Sequence, residues 1–339
     1  MDEARYLCQA SEILDLHIDT LIPVRLWGFD PLEGRRRWPL GRFFFGHLDL
    51  PRSQRGGLSG AMWSITTNPY RGARGRWRAF ERTLKRFRNL ANSSDGKLCL
   101  VRSLSEYRDA RSRGAHAALL SIQGGNSLEG APDGAASVPD GLLTRVTLVH
   151  LTHSVYGGTS APFNPFRRQR GLTDQGRALV EQLNGQRVFV DLAHIHPQAF
   201  WDAVEVHDDS QPLIVTHTGV SGVNPHWRNI DDDQIRAIAD TGGVVGIIFH
   251  PPYLRPRGGS RGVALIVDHI AHVVDTVGED FAAVGSDYDG AISPPVLLRG
   301  SDCYPNLVAE MLSRGWTDSR IQKILGENFL RCFGELRPS

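Results

Sequence analysis

"ILDLHIDTL", residues 13–21, reads as an apolar strand with two polar residues, His17 and Asp19, near its end. Alternate residues of a strand point to the same face. One face of a buried strand therefore carries an imidazole beside a carboxylate. A bound metal ion accounts for such a pair; so does a His–Asp hydrogen bond inside a core. Outward along the chain, similar short apolar runs recur: "EILDLH", "AMWSIT", "AALLSI", "VTLVHL", "RVFVDL", "PLIVTH", "GVVGIIF" and "FAAVGSD". Between them lie amphipathic stretches such as "DQGRALVEQLNG", "DDDQIRAIADTGG" and "GVALIVDHIAHVVDTVG", the last two ending in Gly, a frequent helix stop. Alternation of helices with near-continuous apolar strands indicates a parallel sheet. Eight such strands in 339 residues predict an α/β fold of the (β/α)8 TIM-barrel type. The alternative, an open doubly wound sheet, would normally carry a glycine-rich phosphate loop after its first strand, and "LHIDTLIP" is not one. No repeat or linker divides the chain. Residues 1–339 are read as one barrel domain with a long loop after the first strand, at about 22–58.

Composition narrows the class. Hydrophobic residues are 41% and charged residues 22%, a globular balance able to bury a sizeable core. A net charge of +1 gives no overall field for nucleic acid or membranes. The cysteines, Cys8, Cys99, Cys303 and Cys332, are scattered without CxxC spacing and read as reduced thiols of a cytoplasmic protein. No basic-then-apolar leader, membrane-spanning run or hydrophobic anchor tail is expected. The arginine-rich "RGARGRWRAFERTLKRFRNL" reads as a helix with a solvated outer face, ahead of a nucleic-acid patch. "GFDPLEGRRRWPLGRFFFGHLDLP" reads either as an aromatic, cationic lid or as a loop packed on the barrel.

In a barrel of this type, functional residues sit where strands end. Here those ends carry His17 and Asp19, Gln123 in "SIQGGNS", His153 in "VHLTHS", His194 in "VDLAH", His217 in "IVTHT" and Asp287 in "VGSDYDG". Each alone reads more simply as a hydrogen-bonded structural residue. Together they are the donor types that zinc and similar ions take, repeated where the strands converge. His150, His250, His269 and His272 are left as structural or rim residues.

The motifs "DLHIDT", "HLDLPR", "IQGGNS", "LTHS", "GLTDQGRALVEQLN", "VDLAH", "THT" followed by "NPHWRNI", "GSDYDG" and "GENFLRCF" resemble, in order and spacing, the membrane (renal) dipeptidase family of the amidohydrolase superfamily. The resemblance implies a (β/α)8 barrel of the metal-dependent amidohydrolase type, commonly a homodimer with two zinc ions, that hydrolyses dipeptides. It implies that His17 and Asp19 bind one metal and that His194 and His217 bind the other. His153 would bind substrate and steady the oxyanion, Arg228 would pair with the substrate carboxylate, and Asp287 would move the proton. The expected partner is a dipeptide-like small molecule.

"SIQGGNS" departs from the family pattern, which has a metal-bridging Glu at the position of Gln123 and often a His at that of Asn126. An amide oxygen is a neutral, weaker ligand. Two dications about 3.5 Å apart repel by roughly 20 kcal/mol at an effective dielectric near 20, and a bridging carboxylate normally offsets part of that. One or two zinc ions are therefore expected, the second held weakly. Three readings stay open: a hydrolase of dipeptide-like substrates, an enzyme of specialised metabolism acting on an amino-acid-derived substrate with one or no firmly bound metal, and a non-catalytic binding protein. The retained ligand types argue against the third, because buried polar groups cost desolvation.

Overall fold

The structure is a computed structural model, and it describes residues 1–34, 43–162 and 170–339. The cationic centre of the proposed lid, 35–42, lies outside the described residues. The sheet is all parallel: β1 (Ile13–Ile18), β2 (Leu58–Thr66), β3 (Leu98–Leu100), β4 (His116–Gln123), β5 (Leu143–Thr147), β6 (Phe189–Asp191), β7 (Ile214–Thr218), β8 (Val244–Ile247) and β9 (Ala282–Val284). Strand order is β1-β2-β4-β5-β6-β7-β8-β9, with the short β3 pairing onto β4 outside this path. The ring is nearly closed: Ile18 bridges Tyr288, the Asp19 amide donates to the Tyr288 carbonyl at 2.7 Å, and the Asp287 amide donates to the His17 carbonyl at 3.0 Å. The fold is the expected (β/α)8 TIM-type barrel.

β1, β4 and β5 are buried along their whole length, as strands enclosed by helices must be. The helices start where local chemistry dictates. Asp231 accepts from the Gln234 amide while Gln234 accepts from the Asp231 amide, a capping box that opens the helix Asp232–Asp240. The arginine-rich segment forms the helix Ala73–Asn92, which buries Ala79, Phe80, Thr83, Leu84 and Phe87 at helical spacing. Arg76 alone among its arginines is also buried; its Nε donates to the Asn126 carbonyl at 2.9 Å, tying the helix to the loop after β4. Low in the barrel, Leu14, Leu16, Met62, Leu119 and Phe189 pack with Phe329 and Phe333 of the C-terminal helix Asn328–Leu336. Each such aromatic contributes about 1.5–3 kcal/mol by burial. This plug leaves the other end of the barrel for polar chemistry. None of the four cysteines forms a disulfide, and among the described residues no helix is long and apolar enough to cross a membrane.

His116 lies away from the barrel mouth and sets a pH dependence. Its Nε2 accepts from Trp63 Nε1 at 3.2 Å, and burial pushes the ring from 6.5 down to about 4. The folded pKa lies below the unfolded one, so the unfolded chain takes the proton first as pH falls. The associated stability is present above pH 6.5 and is lost progressively toward about 4. The loss is on the order of 3 kcal/mol. Urea unfolding between pH 7 and pH 4 should show a smaller loss in His116→Gln than in the parent; equal slopes would remove His116 from the account.

Candidate active site

At the mouth, side chains from successive strand ends converge. His17 Nε2 lies 3.5 Å from Asp19 Oδ2 and 3.5 Å from Asp287 Oδ1. The His17 ring stacks on His217, with centroids 3.9 Å apart. His217 Nε2 is 2.9 Å from His194 Nε2, and the Gln123 carboxamide nitrogen is 3.2 Å from His194 Nε2 and 3.5 Å from His217 Nε2. Arg228 donates from Nη2 to the His217 carbonyl at 2.6 Å, while its buried Nε has no hydrogen-bond partner among the described residues. The structure thus brings together His17, Asp19, Gln123, His194, His217, Arg228 and Asp287.

Local backbone irregularity makes this possible. The β1–β2 register shifts between Asp15 and Ile18, and the Asp15 carboxylate takes up backbone donors there: the His17 amide at 3.1 Å and the Ser286 amide at 2.8 Å. His194 and Asp287 both have left-handed backbones, φ 65° and 63°, which turns each side chain inward just beyond its strand. Such conformations cost about 1–3 kcal/mol each in non-glycine residues and gather at functional sites.

His153 is placed differently from expectation. β5 ends at Thr147, opposite Gln123 and Asp191, where β4 and β6 end too; just beyond, the Gly124 and Gly125 amides donate to the Thr147 and Leu148 carbonyls, each at 3.1 Å. His153 therefore closes no strand, and its Nδ1 accepts from the Thr159 amide at 3.3 Å. His150, read from sequence as a rim residue, packs edge-on against His194 with centroids 4.6 Å apart.

Sequence reading also missed the support beneath the site. Arg145 on β5 is fully buried, donating from Nη1 to Asp191 Oδ2 at 3.2 Å and from Nη2 to Ser121 Oγ at 3.1 Å and His17 Nδ1 at 2.8 Å. Thr216 Oγ1 donates to Asp191 Oδ2 at 2.8 Å and so accepts from His217 Nδ1 at 2.9 Å. That leaves the Nε2 lone pair of His217 free for a cation. A guanidinium only donates, so the proton of neutral His17 sits on Nε2, between two carboxylates, where a cation can replace it. A lone charge inside "LTRVTLV" was the available signal for Arg145.

The electrostatics separate the groups. Burial, with Arg228 and neighbouring imidazoles, pushes His194 well below its ordinary value; burial with His17 and Arg228 does the same to His217. Burial lowers His17 too, and drives His150 down to about 4. All four rings are neutral at pH 7. Asp287 rises well above the carboxylate range, first through burial and then through Asp19. Burial pushes on Asp19 as well, but His17 and Thr66 outweigh it and hold Asp19 low. One carboxylate stays ionised while its neighbour favours a proton, the division of labour that acid–base chemistry needs.

His17, His217 and Asp287 each offer a donor atom within 4.8 Å of one another. With Asp19 alongside, neutral imidazoles and carboxylates make a donor set that fits a divalent ion. Fold and site together define a barrel of the metal-dependent hydrolase class. The model of the membrane dipeptidase family, peptidase family M19, matches residues 1–338, and the chain belongs to that family. A protein from Klebsiella pneumoniae, described as an uncharacterized protein in the pqqA 5′ region, is 37% identical over 164 residues, 48% of this chain. The match spans 59% of that relative's length. Among solved structures, the metallo peptidase dipeptidase AC has a TM-score of 0.86 at 24% identity, covering 97% of this chain and 99% of its own. A metallo peptidase from Rhodobacter sphaeroides, liganded with a phosphinate mimic of L-Ala-D-Ala, has a TM-score of 0.85 at 24% identity, covering 96% and 99%. At that identity the structural likenesses carry the fold.

Proposed function

We propose that the protein is a metal-dependent hydrolase cleaving an amide bond in a dipeptide or dipeptide-like small molecule. The observation that carries this reading is the placement of a buried, incompletely paired guanidinium, Arg228, beside an imidazole–carboxylate cluster. Zinc is the ion that best suits these donors. A divalent ion held there supplies a water acidified to a pKa near ~7 and a Lewis acid for the scissile carbonyl. The chain's own groups do the rest. Asp287, favoured in its ionised form once a cation sits beside it, takes the proton of the attacking water at a carboxyl oxygen and passes it to the leaving amine. His153 is the expected donor toward developing oxyanion charge, and His150, neutral and against His194, is a second candidate at the site. Arg228 pairs its free donors with the substrate carboxylate and restricts the site to short, free-ended molecules. The homodimeric assembly and cytoplasmic setting are part of the same proposal; the family resemblance supports the first, and cysteines that form no disulfide support the second.

Gln123 favours a second reading: an amino-acid-derived substrate turned over with one firmly held ion in specialised metabolism. Elemental analysis of the purified protein beside a dipeptide panel separates the two. Dipeptide turnover, with one ion or two, supports the first; fewer than two ions with no dipeptide turnover supports the second.

Arg228→Ala should chiefly raise KM. The carboxylate it meets does not change charge during reaction, so the interaction is uniform between ground and transition states. The loss in kcat/KM should be roughly 10- to 100-fold, in line with a charge-assisted hydrogen bond of about 1.5–3 kcal/mol. A fall in kcat at unchanged KM would assign Arg228 another role.

A further inference from the structure

Gln123 is held by a contact whose hydrogen count does not close. Thr66 Oγ1, at the end of β2, lies 2.7 Å from Asp19 Oδ1 and 2.9 Å from the carboxamide oxygen of Gln123. A hydroxyl has one proton to give and lone pairs to receive. Asp19, a carboxylate whose other oxygen lies 3.5 Å from the proton-bearing Nε2 of His17, offers only lone pairs. The Thr66 proton therefore goes to Asp19, and the Gln123 atom facing Thr66 must be a donor. The two ends of a carboxamide have nearly the same shape, and hydrogen bonding decides between them. A half-turn of the amide puts its NH2 on Thr66 Oγ1. Its oxygen then occupies the position 3.2 Å from His194 Nε2 and 3.5 Å from His217 Nε2.

We propose that Thr66 is a positioning residue that turns the Gln123 carbonyl oxygen toward His194 and His217. The three side chains then form a neutral oxygen–imidazole–imidazole cradle for a divalent cation. Without Thr66 the amide is free to point its NH2 into the cradle, where its protons compete for the lone pairs a cation needs. The role follows from having a carboxamide at 123, since a carboxylate presents oxygen at both ends. The cation part rests on the metal-dependent reading above; the orientation does not.

Two measurements test this. In metal-free protein with 15N-labelled glutamine, the Gln123 NH2 resonance, identified by its loss in Gln123→Glu, should show a nuclear Overhauser contact to the Thr66 methyl. A contact to the imidazole ring protons of His194 or His217 instead would overturn the orientation. In zinc titrations, Thr66→Val should weaken the looser binding step by about 10- to 100-fold, the usual cost of losing a group that orients a ligand. Thr66→Ser should restore it. In the Gln123→Glu background the same Thr66→Val change should have little effect on that step. An equal loss in both backgrounds would show that Thr66 acts through Asp19 alone and would overturn its positioning role. Absence of zinc binding by the parent protein would overturn the metal-dependent reading, while the Overhauser contact still decides the orientation.

Discussion

Asp287→Asn should lower turnover by roughly 10²- to 10⁴-fold, the contribution of a positioned general acid–base group. The amide is isosteric with the carboxyl but cannot accept a proton from water and return it to an amine. The fold should survive. Asp287 sits at φ 63°, a conformation that Asn adopts about as readily as Asp. The change also removes a carboxyl that burial and Asp19 already disfavour in its charged form. The variant's metal-free melting temperature should therefore be no lower than the parent's. A variant that keeps parental kcat on the true substrate would move proton transfer to another group.

Gln123→Glu should have the largest effect on metal content. A carboxylate about 4 Å from a dication gains several kcal/mol at an effective dielectric near 20, part of which goes to desolvation. The looser ion should bind roughly 10- to 1000-fold more tightly, at about 1.4 kcal/mol per tenfold. Elemental analysis should move from below two ions per chain toward two. Without metal the same substitution should lower the melting temperature, because it buries a charge facing two imidazoles whose own charging is opposed by burial. Dipeptide hydrolysis should rise if the pocket admits a dipeptide. Unchanged ion content would show that a neutral oxygen at 123 is already sufficient.

The barrel was legible in the chain because its signal is local. Buried parallel strands must be apolar nearly throughout, and the helices between them must carry one apolar stripe. A run such as "AALLSI" announces itself without any partner, and β4 lies where that run stands. The strand-end polar residues were legible for the same reason: His17, Gln123 and His217 interrupt otherwise apolar sequence where a strand stops. "VTLVHLTHS" misled because strand and loop are apolar alike there. Where β5 stops follows the ends of its neighbours at Gln123 and Asp191, which no window around residue 147 contains.

What the sequence by itself determined was the class of fold and the inventory of donors at its mouth, since both are written as periodicity and residue type along single strands. What only the tertiary structure decided was which donors meet, and in what protonation and orientation. Arg145 under His17, Thr216 behind His217 and Thr66 beside Gln123 each join strands from different parts of the chain. Hydrogen-bond direction is a property of such pairs. Each hydroxyl has one proton and each guanidinium only donors, so the state of every ligand is settled by neighbours that the linear order does not reveal.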